Sequence, residues 1–282
     1  LNHHPIDNLI TAALGSRGRI TALTGAGISA ESGIPTFRGP EGYWTVGSAV
    51  YHPQEMATSA MFRQNPKAVW QWYLYRWGVC LSAQPNAGHA ALVTLERALG
   101  DRFALITQNV DNLHLRAGHR IGSTYQIHGN IGYVRCAAEC HREIMPMPDG
   151  ISAKTPHQDI SATEWSRLHC DRCGGLLRPH VLWFDETYNE AYYRLESAWS
   201  VARHTALLVV VGTSGGTTLP SQVVHEVVGH NGIIIDINIE PTVFSLTAEA
   251  HPMGYAIRQH SSAALPWIAE RIMRRYSETA PG

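Results

Sequence analysis

The chain has 282 residues, is 44% hydrophobic and carries a formal net charge of -1. That length can hold one large domain with a smaller inserted one. The balanced charge, with no basic stretch, argues against a nucleic-acid footprint. No apolar run reaches ~18 residues and no signal peptide is visible, so no membrane partner is expected. Leu1 is not a methionine, and natural residues upstream of it are expected. The 16 histidines are scattered along the chain.

Residues 5–14 place Ile6, Leu9, Ile10 and Ala13 at helical spacing. Arg19–Thr24 reads as a buried strand. Gly25-Ala26-Gly27-Ile28-Ser29-Ala30 follows it directly, a G-x-G-x-x-A turn in the position that such turns hold in dinucleotide-binding folds. Its glycines would let backbone approach a pyrophosphate, and its N–H groups would be donors. An ordinary Gly-rich turn would read the same. Residues 33–39 contain Pro35 and two glycines, which deny them regular structure, and carry Phe37 and Arg38.

Residues 42–84 are rich in aromatics and show no strand alternation; 66–81 reads as one helix. Pro85-Asn86 caps a further helix, Ala87–Leu99. A short apolar strand at 103–106 ends in Thr107-Gln108-Asn109-Val110-Asp111, several hydrogen-bonding groups where a strand opens onto a ligand. His128 follows Asp111 by 17 positions, within reach of the same cleft as a base near neutral pH.

Strands at 207–211 and 233–237 end in Gly212-Thr213-Ser214-Gly215-Gly216 and Asn238-Ile239-Glu240, with helices expected at 220–228 and 263–275. Apolar strands alternating with helices predict an α/β fold, a doubly wound parallel Rossmann-like sheet. A smaller inserted domain, a helical module plus a zinc-binding module, completes the expected architecture. The NAD-type domain takes 1–41, 86–131 and 178–282, the helical insert 42–85 and the zinc-binding insert 132–177. All four polar strand ends would fall along one edge of such a sheet. Glu240 could bind ribose hydroxyls. No acidic residue plays that part ~20 residues after the first turn, so the dehydrogenase fingerprint fails.

The five cysteines are Cys80, Cys136, Cys140, Cys170 and Cys173. Two tight pairs and one left over argue for metal in a reducing compartment, hence a cytoplasmic location, over a disulfide framework. Cys136-x3-Cys140 and Cys170-x2-Cys173 suit a closed tetrahedral Zn(II) site of structural type, with His141 or His169 as substitutes for a cysteine. Cys80 reads as a buried apolar residue.

With these motifs in order, the chain resembles the sirtuins, NAD-dependent protein lysine deacylases, from about Arg19 to about Glu240. The resemblance rests on Gly25 to Ser29, Pro35 to Gly39, Thr107 to Asp111, His128-Gly129, both cysteine pairs, Gly212-Thr213-Ser214 and Asn238-x-Glu240. It implies that Gly25, Ala26 and Gly27 cradle the pyrophosphate, with Ser29 and Arg38 nearby, and that Phe37 shields the reactive ribose. Gln108 and Asn109 would hold the nicotinamide ribose and Asp111 the carboxamide. Gly212, Thr213, Ser214, Asn238 and Glu240 would line the adenosine half. His128 would be the general base, with Asn109 in the catalytic set.

The implied reaction consumes NAD as a cosubstrate. Nicotinamide leaves, the acyl oxygen of the substrate takes its place on the ribose, and His128 helps deprotonate a ribose hydroxyl that attacks the acyl carbon. The products are free lysine, nicotinamide and O-acyl-ADP-ribose. A neutral imidazole is required, so activity should fall below ~6.5 if the ring is unperturbed. The expected partners are acyl-lysine proteins; a monomer suffices, and nothing in the chain sets the oligomeric state.

Tyr73 and Arg76 form a Tyr-x-x-Arg pair on one helix face. They resemble the acyl-carboxylate grip of sirtuins that remove succinyl and malonyl groups, and Ala57 resembles the small residue that widens their pocket. Desuccinylation or demalonylation is therefore expected, beside or in place of deacetylation. Val181, Trp183 and Phe184 match the segment that pairs with the substrate peptide. Asp185 stands where the family usually has Gly, which predicts backbone strain and added negative charge near the peptide. Gly215-Gly216 is also atypical and is expected to loosen its loop. The alternatives are an NAD glycohydrolase or ADP-ribosyltransferase using the same cleft, and a non-catalytic zinc-bearing nucleotide sensor.

Overall fold

The computed structural model describes residues 5–35, 44–46, 49–156 and 158–279. Helix α1 (Pro5–Gly15) leads into strand β1 (Arg19–Thr24), and a short helix, α2 (Gly27–Ala30), starts inside the Gly-rich turn. Strands β2 (Trp44–Val46) and β3 (Ala49–Tyr51) pair antiparallel in a stretch where no strand was expected. Three residues are too few to show alternation. Helices α3 (Pro53–Met56), α4 (Ser59–Gln64) and α5 (Pro66–Ser82) follow, then α6 (Ala87–Leu99).

Strand β4 (Phe103–Thr107), helix α7 (Leu113–Ala117) and strand β5 (Thr124–Gln126) come next. Strands β6 (Gly129–Cys136) and β7 (Met145–Pro146), helix α8 (Ala162–Arg167) and strand β8 (Leu177–Val181) follow, with Cys136 ending β6 and Cys140, Cys170 and Cys173 in the connecting loops. Helices α9 (Glu190–Tyr193) and α10 (Leu195–Arg203) return the chain to β9 (Thr205–Val211). Helix α11 (Thr218–Gly229), strand β10 (Ile233–Asn238), helix α12 (Val243–Ala250), strand β11 (Gly254–Arg258) and helix α13 (Ser261–Thr279) complete it.

Six strands form one sheet in the order β11-β10-β9-β1-β4-β5, every neighbour parallel. The chain builds outward from β1 in both directions, so the topological switch lies between β1 and β9, where α/β sheets take ligands. The inner strands β4, β1, β9 and β10 are buried on both faces because helices cover both. In β9, Leu207, Val209 and Val211 pack with Ile10 of α1, Leu92 of α6 and Ile268 of α13. Leu208 and Val210 point the other way, to Val201 of α10, Val223 of α11 and Phe244 of α12. This alternation is the period-2 geometry of a strand.

A separate core joins α3 to α5 with the cysteine-bearing strands. It includes Met56, Ala57, Trp70, Tyr73, Val134, Cys136, Cys170 and Trp183. Strands β7-β6-β8 form a small antiparallel sheet there. No described helix is long and apolar enough to cross a membrane.

Candidate active site

The Gly-rich turn is fixed by the loop after β9. The Gly25 and Gly27 N–H groups donate to the carbonyls of Val211 and Gly212 at 2.9 and 2.8 Å. A Cβ on Gly27 would lie 2.6 Å from the Gly212 Cα. The glycines let two loops cross at the switch point, and their amides are already engaged there. The amides of these two residues are thus not free to cradle a phosphate. Ser29 is fully buried, and its hydroxyl accepts a bond from Asn109 Nδ2 at 3.1 Å.

Side chains after β4 join the remaining strand ends. Gln108 Nε2 donates to Thr213 Oγ1 at 2.9 Å, and Thr217 Oγ1 donates back to Gln108 Oε1 at 3.0 Å. Asn238 Nδ2 donates to the Thr213 carbonyl at 3.0 Å. The polar ends of β1, β4, β9 and β10 therefore meet in one hydrogen-bonded edge, as the sequence pattern predicts. Asn109 and Asp111 are buried. Burial pushes the Asp111 carboxyl above its ordinary range, against the Leu113 N–H and the Ser29 hydroxyl, which lower it. Ser214 is half-buried and Glu240 exposed. Phe37 and Arg38 lie outside the described residues.

His128 follows β5, a strand too short for the sequence pattern to reveal, and so reaches the same edge. Its Nδ1 lies 3.0 Å from the Gln108 carbonyl. A carbonyl only accepts, so Nδ1 carries the proton and Nε2 presents its lone pair. Tyr188 O–H donates to that Nε2 at 2.8 Å. Burial pushes the imidazole down to about 4, against the Gln108 carbonyl, which raises it. The ring is thus neutral well below 6.5, the limit expected for an unperturbed histidine. Gly129 has φ +83°, and a Cβ there would meet the His180 carbonyl oxygen at 2.1 Å. That close crossing lets the Leu182 N–H reach the His128 carbonyl at 2.9 Å.

The segment after β8 divides by burial. Val181 and Trp183 are buried, whereas Phe184 is exposed. Trp183 Nε1 donates to Tyr73 Oη at 3.0 Å, inside the second core. The Phe184 N–H donates to the Ala57 carbonyl at 3.0 Å. Arg76 is half-buried, its guanidinium 5.3 Å from the Trp72 ring centroid. Burial raises the Tyr73 pKa, so the phenol keeps its proton.

Two departures behave differently from expectation. Asp185 is not among the residues with positive φ, so its backbone carries no such strain. Its carboxylate accepts the Ser59 and Ala60 N–H groups at 2.7 and 3.0 Å. The charge is held at the start of α4, where unpaired amides favour an anion, and is not free beside a peptide. Gly215 does not loosen its loop. Its carbonyl accepts from Ser221 Oγ at 3.3 Å, and its Cα packs so close to α12 that an added Cβ would lie 2.3 Å from Val243 Cγ2.

The four paired cysteines bring their sulfurs within 4.8 Å of one another. Cys136 and Cys173 lie 3.6 Å apart, as do Cys140 and Cys170. A disulfide needs ~2.05 Å, and all are free thiols. A tetrahedron with ~2.3 Å Zn–S bonds has edges of ~3.8 Å, so the donor set fits zinc. His141 Nε2 lies 3.4 Å from Cys170 Sγ, and His169 Nδ1 bonds the Trp165 carbonyl. Neither replaces a cysteine. Cys80 is buried, with its thiol pushed up to about 12 by burial, which suits an inert core residue.

The Tyr188 contact with His128 and the Asp185 contacts with α4 are the ones that pattern reading missed. Tyr188 lies 60 positions after His128, with no spacing or motif to connect them. Asp185 was noticed, but its partners on α4 could be seen only in three dimensions.

The Sir2 family model matches residues 25–218. An NAD-dependent protein deacylase of Pyrococcus furiosus is 38% identical over 265 residues, which cover 94% of this chain and 97% of that protein. One from Leptospira interrogans is 40% identical over 236 residues, covering 84% and 87%. A solved Sir2 homolog–NAD complex superposes with a TM-score of 0.78 at 34% identity, covering 97% of this chain and 96% of that one. By its motifs, its sheet order and these relatives alike, the chain belongs to the Sir2 family.

Proposed function

We propose that the protein is an NAD-dependent protein lysine deacylase, yielding nicotinamide, O-acyl-ADP-ribose and free lysine. The observation that carries this reading is His128, held neutral with Nδ1–H on the Gln108 carbonyl and Nε2 as the acceptor. NAD, when bound, supplies an electrophilic ribose carbon. The donor set fits a dinucleotide, since four polar strand ends converge at the switch point. In this reading Ala26, Gly212, Thr213, Ser214, Asn238 and Glu240 face the adenosine and phosphates, and Gln108, Asn109 and Asp111 the nicotinamide half. Asn109 orients the ribose, and His128 Nε2 receives the proton of a ribose hydroxyl. A half-buried base whose pKa is lowered to about 4 is uncharged at working pH and can accept a proton. Zinc, held by Cys136, Cys140, Cys170 and Cys173, would brace the second core and take no part in the chemistry. Four reduced, clustered thiols favour a cytoplasmic setting.

The test is mass spectrometry of acetyl-, succinyl- and malonyl-lysine peptides incubated with NAD. Acyl-dependent release of nicotinamide with an O-acyl-ADP-ribose product supports deacylation. Release without acyl peptide would point to a glycohydrolase or ADP-ribosyltransferase. His128→Ala or His128→Tyr should abolish deacylation while NAD still binds; an active His128→Ala enzyme would remove the base assignment.

Within that activity, succinyl- and malonyl-lysine are the preferred substrates in our reading. Tyr73 Oη already accepts the Trp183 N–H and is left with its own O–H to donate to an acyl carboxylate. Arg76 lies on the same helix face, one turn on. Ala57, small and buried, packs in the same core as Tyr73. A charge-assisted bond of this kind contributes ~1.5–3 kcal/mol. Arg76→Met should therefore lower desuccinylation by about 10- to 100-fold and deacetylation far less. Equal losses on the two peptides would count against the carboxylate grip.

A further inference from the structure

We propose that Tyr188 relays the proton from the substrate hydroxyl to His128, as a second catalytic residue. This rests on the deacylase reading. In this structure the sole lone pair on His128 Nε2 is engaged by the Tyr188 O–H at 2.8 Å, with the two ring centroids 5.8 Å apart. The Leu219 N–H at the start of α11 acts on the phenol from another side, lowering its pKa. The tyrosine's one hydrogen bond among the described residues is to the base. A hydroxyl approaching Nε2 directly would have to displace it and break its bond to the ring. A hydroxyl approaching the phenol would break nothing.

A phenol oxygen has two acceptor positions. Donation to His128 uses neither, so the oxygen can accept from a donor. The hydroxyl O–H bond breaks as a new O–H forms on Tyr188, while the original Tyr188 O–H breaks and an N–H forms at His128 Nε2. The result is an alkoxide nucleophile, a neutral phenol and an imidazolium, so protons and charge balance with no further reagent. Burial pushes the Tyr188 phenol up to about 12, against the Leu219 N–H, which keeps it loaded with its proton at working pH.

Tyr188→Phe removes the hydroxyl and keeps the ring. Three measurements separate relay from scaffold. In the NAD-free protein, nitrogen-15 NMR of His128 should show Nε2 shifted downfield, with the Nδ1–H tautomer retained by Gln108. Deacylation kcat should fall at least ~100-fold, the low side of what a positioned proton-transfer group supplies, with KM for NAD little changed. Exchange of labelled nicotinamide into NAD in the presence of acyl peptide, which precedes the proton transfer, should persist.

Undiminished kcat, an unmoved Nε2 resonance, or exchange and deacylation falling together would each overturn the relay. A rise in kcat/KM would overturn it too, marking the phenol as a placeholder on the base. A wild-type protein that exchanges no nicotinamide with acyl peptide present would instead remove the deacylase reading beneath it.

Discussion

Gly129 sets the position of His128 by what it lacks. Its φ of +83° is a left-handed conformation, and the His180 carbonyl oxygen occupies the place of a Cβ at 2.1 Å. The obstruction is backbone of β8, which no rotamer change relieves. Left-handed strain alone costs ~1–2 kcal/mol for a residue with a Cβ, and the collision adds to it. Gly129→Ala should therefore destabilise by about 3 kcal/mol or more, read as a lower urea midpoint. It should also reduce kcat by moving the preceding imidazole. A variant with wild-type stability would show that β8 yields easily. At this scale the sequence was informative where motifs are contiguous. Asn109, Asp111 and His128 sit at the ends of strands, and their polarity there is visible without a structure. Tyr188 was not legible, because its link to His128 depends on how α9 and α11 are brought against β5.

Between the elements, the cysteine knuckles and helices α3 to α5 share one hydrophobic core. Cys136 and Cys170 are buried in it together with Met56, Ala57, Tyr73 and Trp183. Trp70 of α5 donates its indole N–H to the Leu177 carbonyl of β8 at 3.0 Å. Asp185 adds a polar tie from the end of this segment to the first turn of α4. Loss of zinc should then loosen the pocket walls as well as the knuckles. Chelation, or Cys173→Ser, is expected to lower Tm by about 10 °C or more and to weaken acyl-peptide binding more than NAD binding. Unchanged peptide affinity in the metal-free protein would uncouple the two.

Elements with long apolar runs, such as β1, β9 and β10, were readable from sequence. Others were not. Strand β5 has three residues, and β11 is only partly buried along Gly254–Arg258, so neither gives a clean apolar period. Helix α12 shows its apolar side partly to solvent, with Val243 and Leu246 exposed, which blurs the helical pattern.

Across the whole molecule, a set of buried and half-buried histidines is held uncharged. His89, His128 and His180 are pushed down to about 4, chiefly by burial. His114 and His119 are lowered as well, again chiefly by burial, the latter against its Glu96 partner. In the unfolded chain each titrates near ~6.5. Between that value and about 4 the unfolded state binds more protons than the native state, so stability rises with pH and is lost on acidification. Each unit of depression is worth ~1.4 kcal/mol, so the loss over this window is on the order of several kcal/mol. The lowered carboxyls of Glu31, Glu96 and Glu190 act in a lower window, since their contribution is lost only as pH falls through and below 4.5. The raised Asp111 and Asp236 carboxyls work in the opposite direction to these glutamates. Between pH 6.5 and 5 the histidine window is clear of the lowered glutamates. Urea midpoints measured across it should fall steadily, while kcat on the protein that remains folded should hold, because the His128 base is still neutral. A flat midpoint would mean that these rings are charged or hydrated in the native state. A kcat that dropped with an apparent pKa near 6.5 in fully folded enzyme would place the His128 imidazole in water, contrary to its contacts with Tyr188 and Gln108.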